Sequence, residues 1–397
     1  MRLVRLVRST EMDQKRIVSY SNLKLAALLV AAFTQPLASA QSASPSVTPS
    51  REEQVKLAEA EKNWRLALGQ TPQDAAAHAS LAVVLSREGK YAEAISAYKK
   101  AFTLDPTLPG IQLNWGIAEF KQGHFQEAIA PLAAALAADP GSVQARTLLG
   151  LSCYGAKQFK EAAGYLEPAV KQDPANMELR KVLAQSCLLA KDYSCAENEF
   201  RQIVQQNPDS ASAHILMGEA LDGLSRTPEA IIEFQAAAKV APQEPDVNFG
   251  LGYLQWKSNH FEEAKTSLQN ELAADPNHAQ ALAYLGDIAM KENNFDQALP
   301  LLEKAVRQRN DLRLAYVDLG AVLMQQKRYP EALAALQRAI KLDSTQPDAH
   351  FRLGRLYQAI GKAPDAEREF AKVRELHEKA DDDVASKLSK PSATPAQ

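Results

Sequence analysis

Only three cysteines, seven histidines and 7% aromatic residues occur among the 397 residues, which leaves little material for several kinds of chemistry. There is no HExxH, no glycine-rich phosphate loop, no nucleophile elbow and no paired-cysteine metal spacing. The histidines do not converge either. These absences point away from a catalyst, a metal centre, an organic cofactor and a small-molecule substrate. Positive charge is in short supply as well: the net charge is −3, and beyond residue 40, 39 basic residues face 46 acidic ones. Nucleic acid and an anionic membrane both require a basic face, so neither is an expected partner.

A long apolar run is also missing. Lys15, Arg16 and Lys24 lead into the short apolar stretch Leu25 to Phe33, followed by Pro36 and the small residues Ala38, Ser39 and Ala40. That order is the one of a secretory signal peptide, and the stretch falls short of the roughly 20 residues a bilayer span needs. Residues 1–40 are therefore read as an export signal cut after Ala40, giving a periplasmic or secreted chain that starts near Gln41. A retained anchor is the alternative; the membrane would then be reached through the uncut signal or through a partner. Met1 and Met12 both stand as possible starts. Residues 41–50 are Ser, Pro and Ala without apolar periodicity and read as a flexible linker.

What the chain has in abundance is Ala, Leu and periodicity. Prolines fall at Pro72, Pro106, Pro140, Pro174, Pro208, Pro242 and Pro276, each 34 residues after the last. With the proline at position 32, nine units follow: 75–108, 109–142, 143–176, 177–210, 211–244, 245–278, 279–312, 313–346 and 347–380. Position 20 is alanine in all nine, from Ala94 to Ala366, and position 8 is only ever Ala or Gly. Two small positions twelve apart let two antiparallel helices approach closely, so each unit is expected to be a helical hairpin. Turns are expected near Gly89, Gly123, Lys157, Lys191, Ser225, Asn259, Asn293, Lys327 and Gly361. Position 7 and position 24 are large and apolar, a filling that one hairpin cannot bury alone, so neighbours must stack. His78, His214 and His350 share position 4; His124 and His260 share position 16.

Small at 8, Ala at 20, aromatic or Leu at 24, Pro at 32 and a period of 34 resemble the tetratricopeptide repeat (TPR) family over about 306 residues. The resemblance implies an all-α solenoid, a right-handed superhelix of helix-turn-helix repeats. Residues 51–74 match the second helix of a unit alone, with Ala60, Trp64 and Pro72 in register, and read as a capping half-repeat. Residues 381–397 read as a disordered tail.

In this family the first helices line a concave groove, into which positions 2, 5, 9, 12 and 13 point. On this chain that implies a partner-binding set of Leu113, Ile117, Phe120, Tyr154, Phe249, Tyr253, Trp256 and Lys257, with the unit-six rings as its hot spot; packing against the next unit is the competing reading for each ring. The Lys and Asn pair that chaperone-tail readers of the family use is not matched, because position 5 is Lys only at Lys181 and its position-9 partner is Gln185. Cys187 and Cys195 face each other across a turn and carry two readings, a disulfide or small buried hydrophobes beside Cys153. Glu271 replaces the usual Ala at position 27 and is read either as loosening the junction between units six and seven or as reaching out to solvent. Together these features suggest a scaffold or adaptor for a peptide or protein partner, or a non-catalytic subunit of an envelope enzyme, secretion or polysaccharide-export complex, rather than an enzyme.

Overall fold

The computed structural model describes residues 50–389, with side chains described to residue 382. The expected export signal and its cleavage site, the linker up to residue 49 and the final eight residues lie outside the described residues. All regular structure described is α-helical. The chain divides after Ser225 into two compact units. The N-terminal unit holds α1 (Arg51–Gln70), α2 (Ala75–Arg87), α3 (Tyr91–Leu104), α4 (Ile111–Lys121), α5 (Phe125–Ala138), α6 (Val143–Gly155), α7 (Phe159–Gln172), α8 (Met177–Leu189), α9 (Tyr193–Gln206) and α10 (Ala211–Gly223). The C-terminal unit holds α11 (Thr227–Val240), α12 (Val247–Lys257), α13 (Phe261–Ala274), α14 (Ala279–Lys291), α15 (Phe295–Gln308), α16 (Arg313–Gln325), α17 (Tyr329–Leu342), α18 (Pro347–Ala359) and α19 (Ala363–Ser389). No described helix is long and apolar enough to cross a membrane.

Each first helix ends in a residue with left-handed backbone, at all nine positions where the sequence places a turn, from Gly89 to Gly361. The amide after that residue reaches back to the last helical turn, as Lys90 N–H does to Leu85 O at 2.9 Å, so the carbonyls of the helix end are satisfied and the chain reverses. The hairpin partners then meet where position 8 faces the side chain at position 24. A Cβ on Gly116 or Gly286 would lie 2.5 or 2.6 Å from side-chain carbons of Leu132 or Leu302, closer than any side chain allows. The position-20 alanines are buried throughout. Second helices stop at position 30 because Asp-Pro or its equivalent follows. Unit nine has His377 and Glu378 there, and α19 continues to Ser389, which corrects the expectation of a disordered tail from residue 381.

The position-4 residues fasten one hairpin to the loop before it. His78, Arg146, Arg180, His214 and Asn248 each donate a hydrogen bond to the carbonyl of the proline six residues earlier, as His214 Nε2 does to Pro208 O at 2.9 Å. A carbonyl only accepts, so these histidines carry the proton on Nε2. Where position 4 is Leu282, which has no donor, or Tyr316, which does not make this bond, the second helix supplies the donor: Lys304 reaches Pro276 O at 2.6 Å and Arg338 reaches Asn310 O at 2.8 Å. Two of the recurring histidines thus hold loops, and His350 instead pairs through Nδ1 with Glu369.

Within each unit the first helices of successive hairpins also touch one another, α2 to α4, α4 to α6, α6 to α8 and α8 to α10, and α12 to α14, α14 to α16 and α16 to α18. The first helices therefore form the inner layer of each unit. Cys187 in α8 and Cys195 in α9 are joined by a disulfide with Cα atoms 5.7 Å apart, and Cys153 stays a buried free thiol, its pKa pushed up by burial to about 11.

Candidate functional site

The inner layer of the C-terminal unit is knit by side chains that run from one first helix to the next. Trp256 of α12 donates its indole N–H to Asp287 Oδ2 of α14, and Lys291, one turn further along α14, binds the same carboxylate while lying 4.9 Å above the Trp256 ring. Asp318 of α16 lies next to Asp287, and the Arg352 guanidinium of α18 approaches Asp318 Oδ1 at 3.7 Å. Burial, reinforced by the neighbouring Asp287 charge, pushes the Asp318 carboxyl up to about 7; Arg352 and Lys291 oppose the shift without cancelling it. The N-terminal unit uses the same register once, where Tyr154 O–H of α6 donates to Gln185 Oε1 of α8 at 2.9 Å. In both units a position-12 donor meets a position-9 acceptor on the following first helix.

That register explains where the expected binding residues go. Phe249, Tyr253 and Trp256 are 2%, 6% and 8% exposed, and their rings pack on Tyr284 of α14 at centroid distances of 6.0, 5.5 and 4.7 Å. The rings expected as a hot spot are therefore packing between first helices; Tyr284, which they pack on, lies 28 to 35 residues further along the chain, on the next first helix. Phe120 is buried against Phe125, and Tyr154 is buried with its hydroxyl engaged by Gln185. Leu113, Ile117 and Lys257 remain half-exposed on the inner layer, joined by Lys121, whose ammonium pKa is lowered by partial burial. The same register positions, read in units seven and nine as well, lead to Lys291, Phe351 and Arg355, which the sequence reading passed over. Lys291, Phe351 and Arg355 are all exposed.

Asp246, Glu271 and His278 bring three possible metal-ligand atoms within 4.8 Å of one another. Their hydrogen bonds commit them elsewhere. Pro245 precedes Asp246, which has left-handed backbone and leaves α12 without a capping side chain of its own. Glu271 of α13 fills that role: its Oε1 accepts Asp246 N–H at 3.3 Å and its Oε2 accepts Phe249 N–H at 3.0 Å. His278 Nδ1 accepts the amide of Ala281 at the start of α14, so the neutral ring has its proton on Nε2, 2.8 Å from Asp246 Oδ1. No lone pair is left on that ring for a cation. Glu271 is thus not a solvent-seeking acid; it is buried and caps the start of the first helix of its own hairpin.

A second buried acid, Glu119 of α4, is held by Trp115 Nε1 at 2.9 Å, His124 Nδ1 at 3.0 Å and Lys99 Nζ at 3.1 Å. Burial raises its pKa, but these three donors outweigh burial and hold the carboxyl below its usual range. It is the counterpart of an ordinary hydrogen-bonded core acid, with every oxygen engaged.

Family models described as TPR repeat or tetratricopeptide repeat match residues 85–123 and 320–361, 113–177 and 249–313, and 154–220, which together span more than half of the chain. No curated protein matches the chain in sequence. Among solved structures, YrrB, described as a TPR protein with an unusual peptide-binding site, is 20% identical over 45% of this chain and 91% of its own, with a TM-score of 0.38. The Cut9–Hcn1 hetero-tetramer of the APC/C is 14% identical over 81% and 78%, with a TM-score of 0.48, and yeast Tom70 is 17% identical over 81% and 89%, with a TM-score of 0.38. The 34-residue period, the alanines at position 20, the left-handed turn in every hairpin and the family-model matches agree, and the chain belongs to the tetratricopeptide repeat family.

Proposed function

We propose that the protein is an extracytoplasmic scaffold that holds a peptide or partner protein against the inner layer of its first helices. Members of the family are in general non-catalytic interaction scaffolds. The observation that carries the reading here is that inner-layer side chains divide into two sets. One set is used up in joining first helices, as Trp256 and Tyr154 are. The other, including Leu113, Ile117 and Lys121 on α4 at positions 5, 9 and 13, keeps apolar and cationic surface open to solvent. An apolar strip with a cationic rim suits an extended or helical segment.

Two features support the extracytoplasmic part: the signal-like order of residues 1–40 and the Cys187–Cys195 disulfide, a bond that persists in oxidising compartments and is rare in reducing ones. The test places a photo-crosslinking amino acid at Ile117 on α4 or at Ile232, an exposed residue on second helix α11, in cells. The expected outcome is partner adducts from Ile117 on a mature chain whose N-terminal sequence begins near Gln41. Adducts from Ile232 alone would contradict the inner-layer reading, and an N-terminus that retains residues 15–40 on soluble, unexported protein would contradict the location.

A further inference from the structure

The inner layer of the C-terminal unit distributes its charges unequally in depth. Two of its carboxylates lie beneath the surface, with Asp287 and Asp318 only 6% and 3% exposed, while Asp348 at position 2 of α18 is exposed and paired with Arg313. The cations facing them reach water: the Lys291 and Arg352 side chains keep 39% and 38% of their surface. Arg355, one turn beyond Arg352, is exposed and makes no ion pair among the described residues. One turn before it, Phe351 is 48% exposed, although its register counterparts Ala283 and Val317 are buried by the following hairpin. Met324, half-buried on α16, holds the register position that pairs with Arg355 across first helices. With Asp348 paired to Arg313, the accessible charge that remains on this face is positive, on a chain whose net charge is −3.

We infer that this face docks an acidic peptide segment of a partner protein, with an apolar side chain seated on Phe351 and carboxylates set against Arg355, Arg352 and Lys291. The inference rests on the inner layer being the binding surface and adds the chemistry of what it takes. The buried acids do not compete with the incoming ones; they position the cations. Asp287 and the Trp256 ring fix Lys291, and the Arg352 guanidinium lies 3.7 Å from Asp318 Oδ1, so fewer Lys291 rotamers are lost when a carboxylate arrives. A basic segment would meet the exposed cations first and could not reach the carboxylates below them. Charge of this kind sets partner choice and association rate, and its effect is screened by salt.

The test uses the full chain and three short fluorescent peptides that share one apolar pattern and carry Glu, Gln or Lys at the remaining positions. Anisotropy titrations are expected to give tightest binding for the Glu peptide, weakening with added salt. Arg355→Gln should weaken it several-fold, and the Arg352→Gln/Arg355→Gln double variant by about tenfold or more, as expected when charge-assisted contacts are lost. Arg307→Gln, which removes an exposed charge from second helix α15, should leave binding unchanged. Because Arg355 has no ion pair to lose, its single variant reads docking even if the double variant melts early in circular dichroism. Equal or tighter binding of the Gln or Lys peptide would overturn the acidic preference while leaving the scaffold reading in place. Unchanged binding by Arg355→Gln, no binding of any peptide, or self-association of the chain that Arg355→Gln abolishes would each overturn the inference; the crosslinking at Ile117 then decides the scaffold reading separately.

Discussion

At Asp318 the native chain keeps a proton that the unfolded chain gives up. Its carboxyl is pushed up to about 7 in the fold, where Asp287, Lys291, Arg352 and Arg313 are the charged groups around it, and lies near the ordinary carboxylate value once unfolded. Between those values the unfolded state binds fewer protons, so this residue makes stability fall as pH rises from about 4 to 7 and contributes no further change above that. Asp318→Asn should remove that slope and raise the melting temperature at pH 8 more than at pH 5; thermal melts showing an equal shift at both pH values would contradict the account. Trp256 makes the complementary case. Buried and bonded to Asp287, it should cost about 3–5 kcal/mol of stability when changed to Ala, seen as a shifted urea midpoint. Retained stability with loss of partner binding would restore it as a ligand anchor.

At the scale of helices and hairpins, two devices act where the repeat pattern is interrupted. Glu271→Ala removes the cap from α12 and should cost about 1–2 kcal/mol, with faster hydrogen exchange at the Phe249 amide. An unchanged exchange rate there would mean the cap contributes nothing. The Cys187–Cys195 disulfide closes a turn of sequence separation 8, and reducing it should lower stability by about 2.5 kcal/mol through freed chain entropy, a loss that the double Ala variant should reproduce. The sequence carried the hairpins plainly, because position 8, position 20 and the turn residue are each set by a steric limit within one unit. It carried the aromatic cluster poorly. Phe249, Tyr253 and Trp256 share one helical face and read as exposed until Tyr284 and Asp287 of the next first helix are set beside them. Glu271 was misread for the same reason: its partners, Asp246 and Phe249, lie at the far end of its own hairpin, where Pro245 leaves a helix start uncapped. What one helix can show was legible, and what needs the neighbour was not.

For the molecule as a whole, the nineteen described helices fall into two repeating sets with different duties. Second helices supply the alanines and the large position-24 side chains that fill the hairpins, and they provide Lys304 and Arg338 where a loop needs a donor. First helices form the inner layer, spend some side chains on joining one another and leave others open. A scaffold that binds through that layer predicts a particular pattern of protection. Hydrogen–deuterium exchange of the full chain with and without its crosslink-identified partner should show slower exchange in first helices, α4 in the N-terminal unit and α14, α16 and α18 in the C-terminal unit. Second helices α5, α15 and α17 should change little. Protection confined to the second helices, with α4, α16 and α18 exchanging as they do in the free chain, would contradict the assignment of the inner layer as the binding surface.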